Sequence, residues 1–141
     1  MTSTLSASQV AVLETLRDIC LNYPQTSEEI KWENPVFLVH GRIFVLVSVG
    51  DDRMAIWLKA GKGVQEAFVG ADSERYFRPP YFGPKGWLGA WLSASSQPIW
   101  PVIEDLIDES FRLVAPKRVV ALLEQPRPSD GSTPLPGSLP G

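Results

Sequence analysis

Few side chains in this chain combine the types and spacing that catalysis requires. His40 is the only histidine and Cys20 the only cysteine among 141 residues. A histidine acting as a general base needs a nucleophile and an orienting partner, whereas His40 precedes Gly41 at a predicted hairpin turn. Cys20 falls on the apolar stripe of a predicted helix, where a thiol is buried and unreactive. We therefore expect the protein not to be an enzyme.

The acidic residues favour solvent exposure over metal binding. Asp51 and Asp52 lack further carboxylates at calcium-loop spacing and are typical turn residues. Four acids share the polar side of a predicted helix, as on a solvated face: Glu104, Asp105, Asp108 and Glu109. The sequence has no Cys/His cluster of the kind that holds zinc, and Gly61 with Gly63 lacks the rest of a dinucleotide fingerprint. We expect neither a metal nor a cofactor.

Anion binding by bases set among aromatic rings is the chemistry that remains. The segment Arg75–Trp91, RYFRPPYFGPKGWLGAW, is called the aromatic segment below, and its bases are Arg75, Arg78 and Lys85. Proline fixes φ and restricts the residue before it, so the segment should be stiff and lose little entropy on binding. Surfaces that contact phosphates use such bases. The rings could equally fill the core beneath a loop while the bases reach outward.

The charge distribution is uneven. Net charge is −3, which argues against a dedicated nucleic-acid binder. However, no acid lies between Glu74 and Glu104, or between Glu109 and Glu124. Each window holds three bases and carries +3, so the remainder carries −9. The bases of the second window are Arg112, Lys117 and Arg118. The windows favour a local basic surface, with chance segregation as the alternative.

Hydrophobic periodicity predicts the elements that must position these residues. Apolar residues at helical spacing predict four helices, over residues 8–21, 64–69, 99–114 and 117–124. Ser6 with Gln9 matches a capping box for the first helix. Alternation between turn residues predicts four strands, over residues 37–40, 42–49, 54–59 and 86–92. We expect an α+β fold, with a small antiparallel sheet of about four strands packed by N-terminal and C-terminal helices.

Two glycines have predicted conformational roles. Gly41, after His40, can take the positive φ that a tight hairpin demands. Gly89, inside the fourth strand, predicts a bulge or the close approach of another element.

The domain organisation is predicted to be simple. Residues 1–124 are expected to form one domain. Residues 125–141 are expected to be a disordered tail, because five prolines, three glycines and no aromatic residue cannot bury enough surface. The first residues lack the pattern of a signal peptide. The longest apolar run, Ile43–Val47, falls far short of the roughly 20 residues that span a bilayer. With its single cysteine, the chain is expected in the cytoplasm, without a membrane partner.

Several strings of the sequence resemble the MmcQ/YjbR family over roughly Cys20–Val119. They are WENPVFLVHGRIFVLV, a strand ending LKA, ERYFRPPYFGPKGWLGAWL and ESFRLVAPKR, and PPYFGPKGW is long and uncommon. The matching positions are Gly41, Arg42, Phe44, Lys59, Pro80, Gly83, Gly86, Trp87, Ser110, Lys117 and Arg118.

The resemblance implies a small α+β domain with a double-wing DNA-binding motif, whose wings would be the hairpin tips near residues 40–42 and 50–53. On this basis DNA is the expected partner. The expected phosphate contacts are Arg42, Arg75, Arg78, Lys85, Lys117 and Arg118. The alternative is a protein- or small-molecule-binding domain without catalysis, in which Tyr81, Trp87 and Trp91 converge on a cleft.

Overall fold

The computed structural model describes residues 7–50, 53–92 and 99–123. The predicted tail, the cap at Ser6 and the hairpin tip at residues 51–52 lie outside them. Within these ranges the helices are α1 (Ala7–Leu21), α2 (Val64–Ala71), α3 (Trp100–Val114) and α4 (Lys117–Leu122). The strands are β1 (Thr26–Lys31), β2 (Asn34–Val39), β3 (Arg42–Gly50), β4 (Arg53–Lys59), β5 (Tyr76–Phe77) and β6 (Trp87–Trp91). No helix of the described residues is long and apolar enough to cross a membrane.

The strands form one antiparallel sheet in the order β1-β2-β3-β4-β6-β5. The predicted α+β class and antiparallel sheet are confirmed, and the four predicted strands correspond to β2, β3, β4 and β6. The sheet has two further strands, at its edges. The sequence of β1, TSEEIK, is polar. Charged side chains on an edge strand disfavour its pairing with other chains. At two residues, β5 is too short to show alternation.

All four helices pack on one face of the sheet. Their apolar side chains share a cluster with alternate residues of the strands. Leu16 of α1 and Phe111 of α3 are fully buried there, as are Ile56 and Leu58 of β4. Each such side chain contributes about 1.5–3 kcal/mol relative to an exposed one. This face therefore holds the main core.

A β-bulge in β3 gives α3 a fixed point on the sheet. Phe37 lies opposite Val45 while Leu38 lies opposite Ile43, so Phe44 is the extra residue. The Phe44 carbonyl accepts a hydrogen bond of 2.6 Å from the hydroxyl of Ser110, which is fully buried. The same hydroxyl oxygen accepts a bond of 2.9 Å from the Lys59 N–H. One side chain of α3 thus satisfies backbone groups of two strands.

The opposite face carries a smaller apolar cluster and is called the aromatic face below. Val36, Leu38 and Leu46 are buried there, with Trp57 packed against them. The aromatic segment folds over this face. The ring of Phe82 meets that of Trp57 edge-on, with 5.8 Å between centroids.

Gly89 makes the close approach that its position in a strand predicts. A side chain at this position would collide with the ring of Phe77, which is stacked on Trp91 with 4.6 Å between centroids. The absent side chain lets β5 lay its ring against β6. This confirms the prediction for Gly89.

We expect Ser110→Ala to lower the free energy of unfolding by about 2–3 kcal/mol, because it leaves the Phe44 carbonyl and the Lys59 N–H without their partner. Urea denaturation measures the change. The control is Ser73→Ala at an exposed loop residue, where we expect less than about 0.5 kcal/mol. An equally small change for Ser110→Ala would contradict the role given to the hydroxyl.

Candidate functional site

The histidine and the cysteine occupy the places that the sequence predicts. His40 and Gly41 have φ of 52° and 78°, as a two-residue hairpin turn requires. The His40 ring is hydrogen-bonded to the side chain of Gln25. Cys20 is buried, and burial raises the pKa of its thiol. Among the described residues, no three His, Cys, Asp or Glu side chains are grouped so that they could hold a metal ion.

A buried amide positions the aromatic segment. Gln65 of α2 is 3% exposed, and its side-chain nitrogen donates to the carbonyls of Gly83 and Trp87, at 2.9 and 2.6 Å. These carbonyls bracket a single 3₁₀ turn, Gly83–Lys85. Gly86, with φ of 90°, then turns the chain into β6. The sequence signal for this role was weak, because a lone glutamine on a short helix usually faces solvent.

Four aromatic rings line a pocket of about 370 Å³ on the aromatic face. This aromatic pocket is formed by Trp32, Asn34, Leu46, Trp57, Tyr81 and Phe82. Its volume lies at the lower end of the roughly 300–1,000 Å³ of ligand sites. Trp32 comes from the β1–β2 turn, Trp57 from β4 and Tyr81 from the aromatic segment, so the site depends on three parts of the fold.

The two outermost rings of the aromatic pocket sit on strained backbone. Trp32 and Tyr81 have φ of 51° and 66°, in the left-handed region that bulky residues avoid at a cost of about 1–2 kcal/mol each. Burial does not repay this cost, because their exposed fractions are 67% and 87%. Strain of this kind concentrates at functional sites. The positive φ of Trp32 is also what the two-residue β1–β2 turn requires. The strain at Tyr81, together with the exposure of both rings, therefore marks the pocket as a candidate site.

Asn34 holds the strained β1–β2 turn in place. Its side-chain nitrogen donates to the Trp32 carbonyl at 3.1 Å, and its side-chain oxygen accepts from the Val49 N–H at 3.4 Å. The turn that carries Trp32 is thereby tied to β3.

Trp57, which lines the aromatic pocket with part of its ring, has an unsatisfied donor buried beneath the surface. The indole N–H of Trp57 is shielded from solvent and has no hydrogen-bond partner among the described residues. A buried donor without an acceptor costs about 1–3 kcal/mol.

A basic pocket adjoins the aromatic one and shares Trp32 and Phe82 with it. Its cations are Lys31, Arg42 and Lys85, and its volume is about 410 Å³. The Lys85 ammonium lies 5.8 Å from the centroid of the Phe82 ring, within the range of a cation–π contact. The Lys31 ammonium is 3.8 Å from a carboxylate oxygen of Glu29.

The structure brings together two of the six predicted phosphate contacts, Arg42 and Lys85. It adds Lys31, a residue that the acid-free windows could not reveal because Glu28, Glu29 and Glu33 flank it. Arg78 is exposed, and its Cβ lies beside Gly83 of the same segment.

The other three predicted contacts have different surroundings. The Arg75 guanidinium lies 3.5 Å from the Asp72 carboxylate. Lys117 and Arg118 are exposed in the first turn of α4, whose Val119 is buried in the cluster beneath the helices. They therefore belong to the helical layer, on the other side of the sheet from the two pockets.

Tyr81, Trp87 and Trp91, which were expected to converge on one cleft, lie at three different places in the structure. Tyr81 lines the aromatic pocket and Trp87 the basic one, while Trp91 stacks on Phe77. The rings that join Tyr81 in one pocket are those of Trp32, Trp57 and Phe82. Sequence reasoning missed Trp32 and Trp57 because they lie 49 and 24 residues before Tyr81 along the chain.

Comparisons with known proteins give a family match and a crystal structure of similar fold. The model of the YjbR family matches residues 21–113. A crystal structure of the Deinococcus radiodurans protein DR2400, described as a DUF419 domain, is similar with a TM-score of 0.67 and 21% identity, covering 81% of this chain and 88% of that one. A DUF1801-family protein of Bacillus subtilis has a TM-score of 0.47 and 22% identity, covering 75% and 77%. The comparison with curated proteins finds no match.

We expect Tyr81→Gly to raise the free energy of unfolding by about 0.5–1 kcal/mol. The left-handed strain that it removes, about 1–2 kcal/mol, exceeds the added chain entropy of glycine, about 0.5–1 kcal/mol. Urea denaturation checks this. The control is Lys62→Gly, at an exposed residue outside the set with positive φ, where we expect a fall of about 0.5–1 kcal/mol. Equal falls for both variants would contradict the assignment of strain to Tyr81.

Proposed function

The chain belongs to the YjbR family, and from that premise we propose that it binds nucleic acid, with DNA as the expected partner, through its aromatic face. One observation carries the proposal. Arg42 and Lys85, which the sequence already indicates as phosphate contacts, line one pocket with Lys31. That pocket shares two aromatic rings with its neighbour. A nucleic-acid strand likewise places a phosphate next to each base, so cations beside rings suit it.

The proposed binding mechanism is phosphate neutralisation at the basic pocket. Each phosphate contacted by a lysine or arginine releases condensed counterions, so affinity falls as salt rises. Three cations support about three phosphate contacts, for which the slope of log affinity against log salt is about −2 to −3. Arg78 could add a contact at the rim, since it lies on the same segment as Lys85.

Pairing within the protein reduces the contribution of several bases. Arg75 interacts with Asp72, and the Arg112 guanidinium donates to the Asp108 carboxylate at 2.8 Å on the same helix. The acid-free windows of the sequence are therefore less basic in the folded chain than their composition indicates. The proposal assigns the main phosphate contacts to Arg42 and Lys85, with a smaller contribution from Lys31, whose ammonium is 3.8 Å from the Glu29 carboxylate.

We also propose that the protein binds without catalysing a reaction and acts in the cytoplasm. Support comes from the hairpin position of His40 and from the buried thiol of Cys20, whose raised pKa disfavours the reactive thiolate. A single buried cysteine suits a reducing compartment.

A second candidate function is the binding of an uncharged small molecule. The aromatic pocket favours it, since four rings and Leu46 line about 370 Å³. Such a ligand would bind with little dependence on salt, which separates it from a nucleic acid.

We expect Arg42→Glu with Lys85→Glu to weaken DNA binding by about tenfold or more and to make the salt slope shallower, because two of the three phosphate contacts are reversed. Fluorescence anisotropy with labelled single-stranded and duplex DNA at about 50 and 200 mM salt measures both effects.

The matched control is Lys117→Glu with Arg118→Glu, which changes the net charge by the same amount in the helical layer. We expect it to weaken binding by less than about threefold. No binding by the unaltered protein at low salt, or equal losses for the two double variants, would refute the proposal.

A further inference from the structure

The aromatic pocket is suited to one kind of ligand group. Its rings come from Trp32, Trp57, Tyr81 and Phe82, and the two outermost are exposed on strained backbone. Their backbone is already fixed, so a flat group that stacks on them has to order only the two side chains, at about 0.5–1.5 kcal/mol each. A planar, apolar-faced group therefore fits the pocket best.

Charge decides between the planar or apolar groups that such a pocket could take. Rings around one cavity also hold methylated ammonium groups. Here Lys31, Arg42 and Lys85 line the adjoining pocket and would repel a cation. The same three charges attract an anion next to the stacked group. A nucleotide provides both the planar group and the anion. Its base has a π-face that can stack on the rings, and its phosphate carries the negative charge.

We infer that the aromatic pocket receives an unpaired base of a single-stranded nucleic acid, with the neighbouring phosphates held by Lys31, Arg42 and Lys85. This inference rests on the proposed function and specifies the form of nucleic acid. A base inside a duplex is stacked between its neighbours and cannot enter a pocket unless it is flipped out. The protein therefore selects single strands, and its affinity has a stacking part that salt does not weaken.

The test compares four DNA probes on the full chain by fluorescence anisotropy. They are a single strand of about ten nucleotides, the same strand with abasic sites throughout, its duplex, and the free mononucleotide. We expect the single strand to bind about tenfold or more tightly than any other probe. Its binding should also quench tryptophan fluorescence, because Trp32 is exposed and a base stacks on it.

Two variants remove the stacking rings and leave the cations in place. Trp32→Ala and Tyr81→Ala should each weaken single-strand binding by about tenfold, with the salt slope unchanged. The matched control is Ile30→Ala, which removes an apolar side chain that is 66% exposed, against 67% for Trp32, and does not line either pocket. The high exposure of Tyr81 makes its variant a test that does not disturb folding.

The outcomes separate this inference from the proposed function. If duplex, abasic and intact strands bind equally and the ring variants have no effect, while Arg42→Glu with Lys85→Glu still weakens binding, the base pocket is refuted and the proposed function stands. If the free mononucleotide binds as tightly as the strand, a strand is not the ligand and the inference is refuted. If no DNA probe binds at low salt, both are refuted.

Discussion

A sheet with apolar side chains on both faces must have both faces covered by other parts of the chain. In the described residues, the helices cover only one of the two faces. All four pack on the face that carries Phe44 and Ile56. The other face, with Leu46 and Trp57, is covered in part by the aromatic segment. An irregular segment can cover a sheet only if its backbone polar groups are satisfied. The Gln65 side chain donates hydrogen bonds to two backbone carbonyls of the segment and so satisfies part of this requirement. It thereby helps the segment to cover the aromatic face.

How much of the fold the sequence predicts depends on how local the signal is. Helix α3 and strands β3 and β4 have strong periodicity. The role of Gly41 follows from the backbone freedom of glycine, and that of Gly89 from its missing side chain. Strand β1 is different, because its residues alternate little in polarity. It forms through pairing with β2 and through Arg17 of α1, whose guanidinium donates two hydrogen bonds of 2.7 and 2.8 Å to Glu28. Those partners become visible only in three dimensions.

The candidate site likewise has a part that local sequence predicts and a part that only the folded structure reveals. Composition and spacing pointed to the aromatic segment with Lys85, and the family resemblance pointed to Arg42. Both residues line the basic pocket. Trp32 and Glu33 gave no signal, because consecutive residues with positive φ usually include a glycine or an asparagine and neither is present here. The sequence predicts a turn from turn-forming residues. A turn built from residues that resist it is evident only from its dihedral angles, although such a turn is the stronger sign of function.

An acidic chain can present a surface for a polyanion because charge acts locally. At about 0.1 M salt the screening length is near 10 Å, so carboxylates on α3, in the helical layer, act less on the basic pocket than Glu29, which lies 3.8 Å from the Lys31 ammonium. The net charge of −3 therefore weakens steering over long distances more than it weakens contact. In the proposed binding mode, three cations neutralise few phosphates, so stacking on the exposed rings supplies the rest of the affinity. Under that proposal, ligand stacking is the physical reason for keeping Trp32 and Tyr81 at positions where a glycine would cost the fold less.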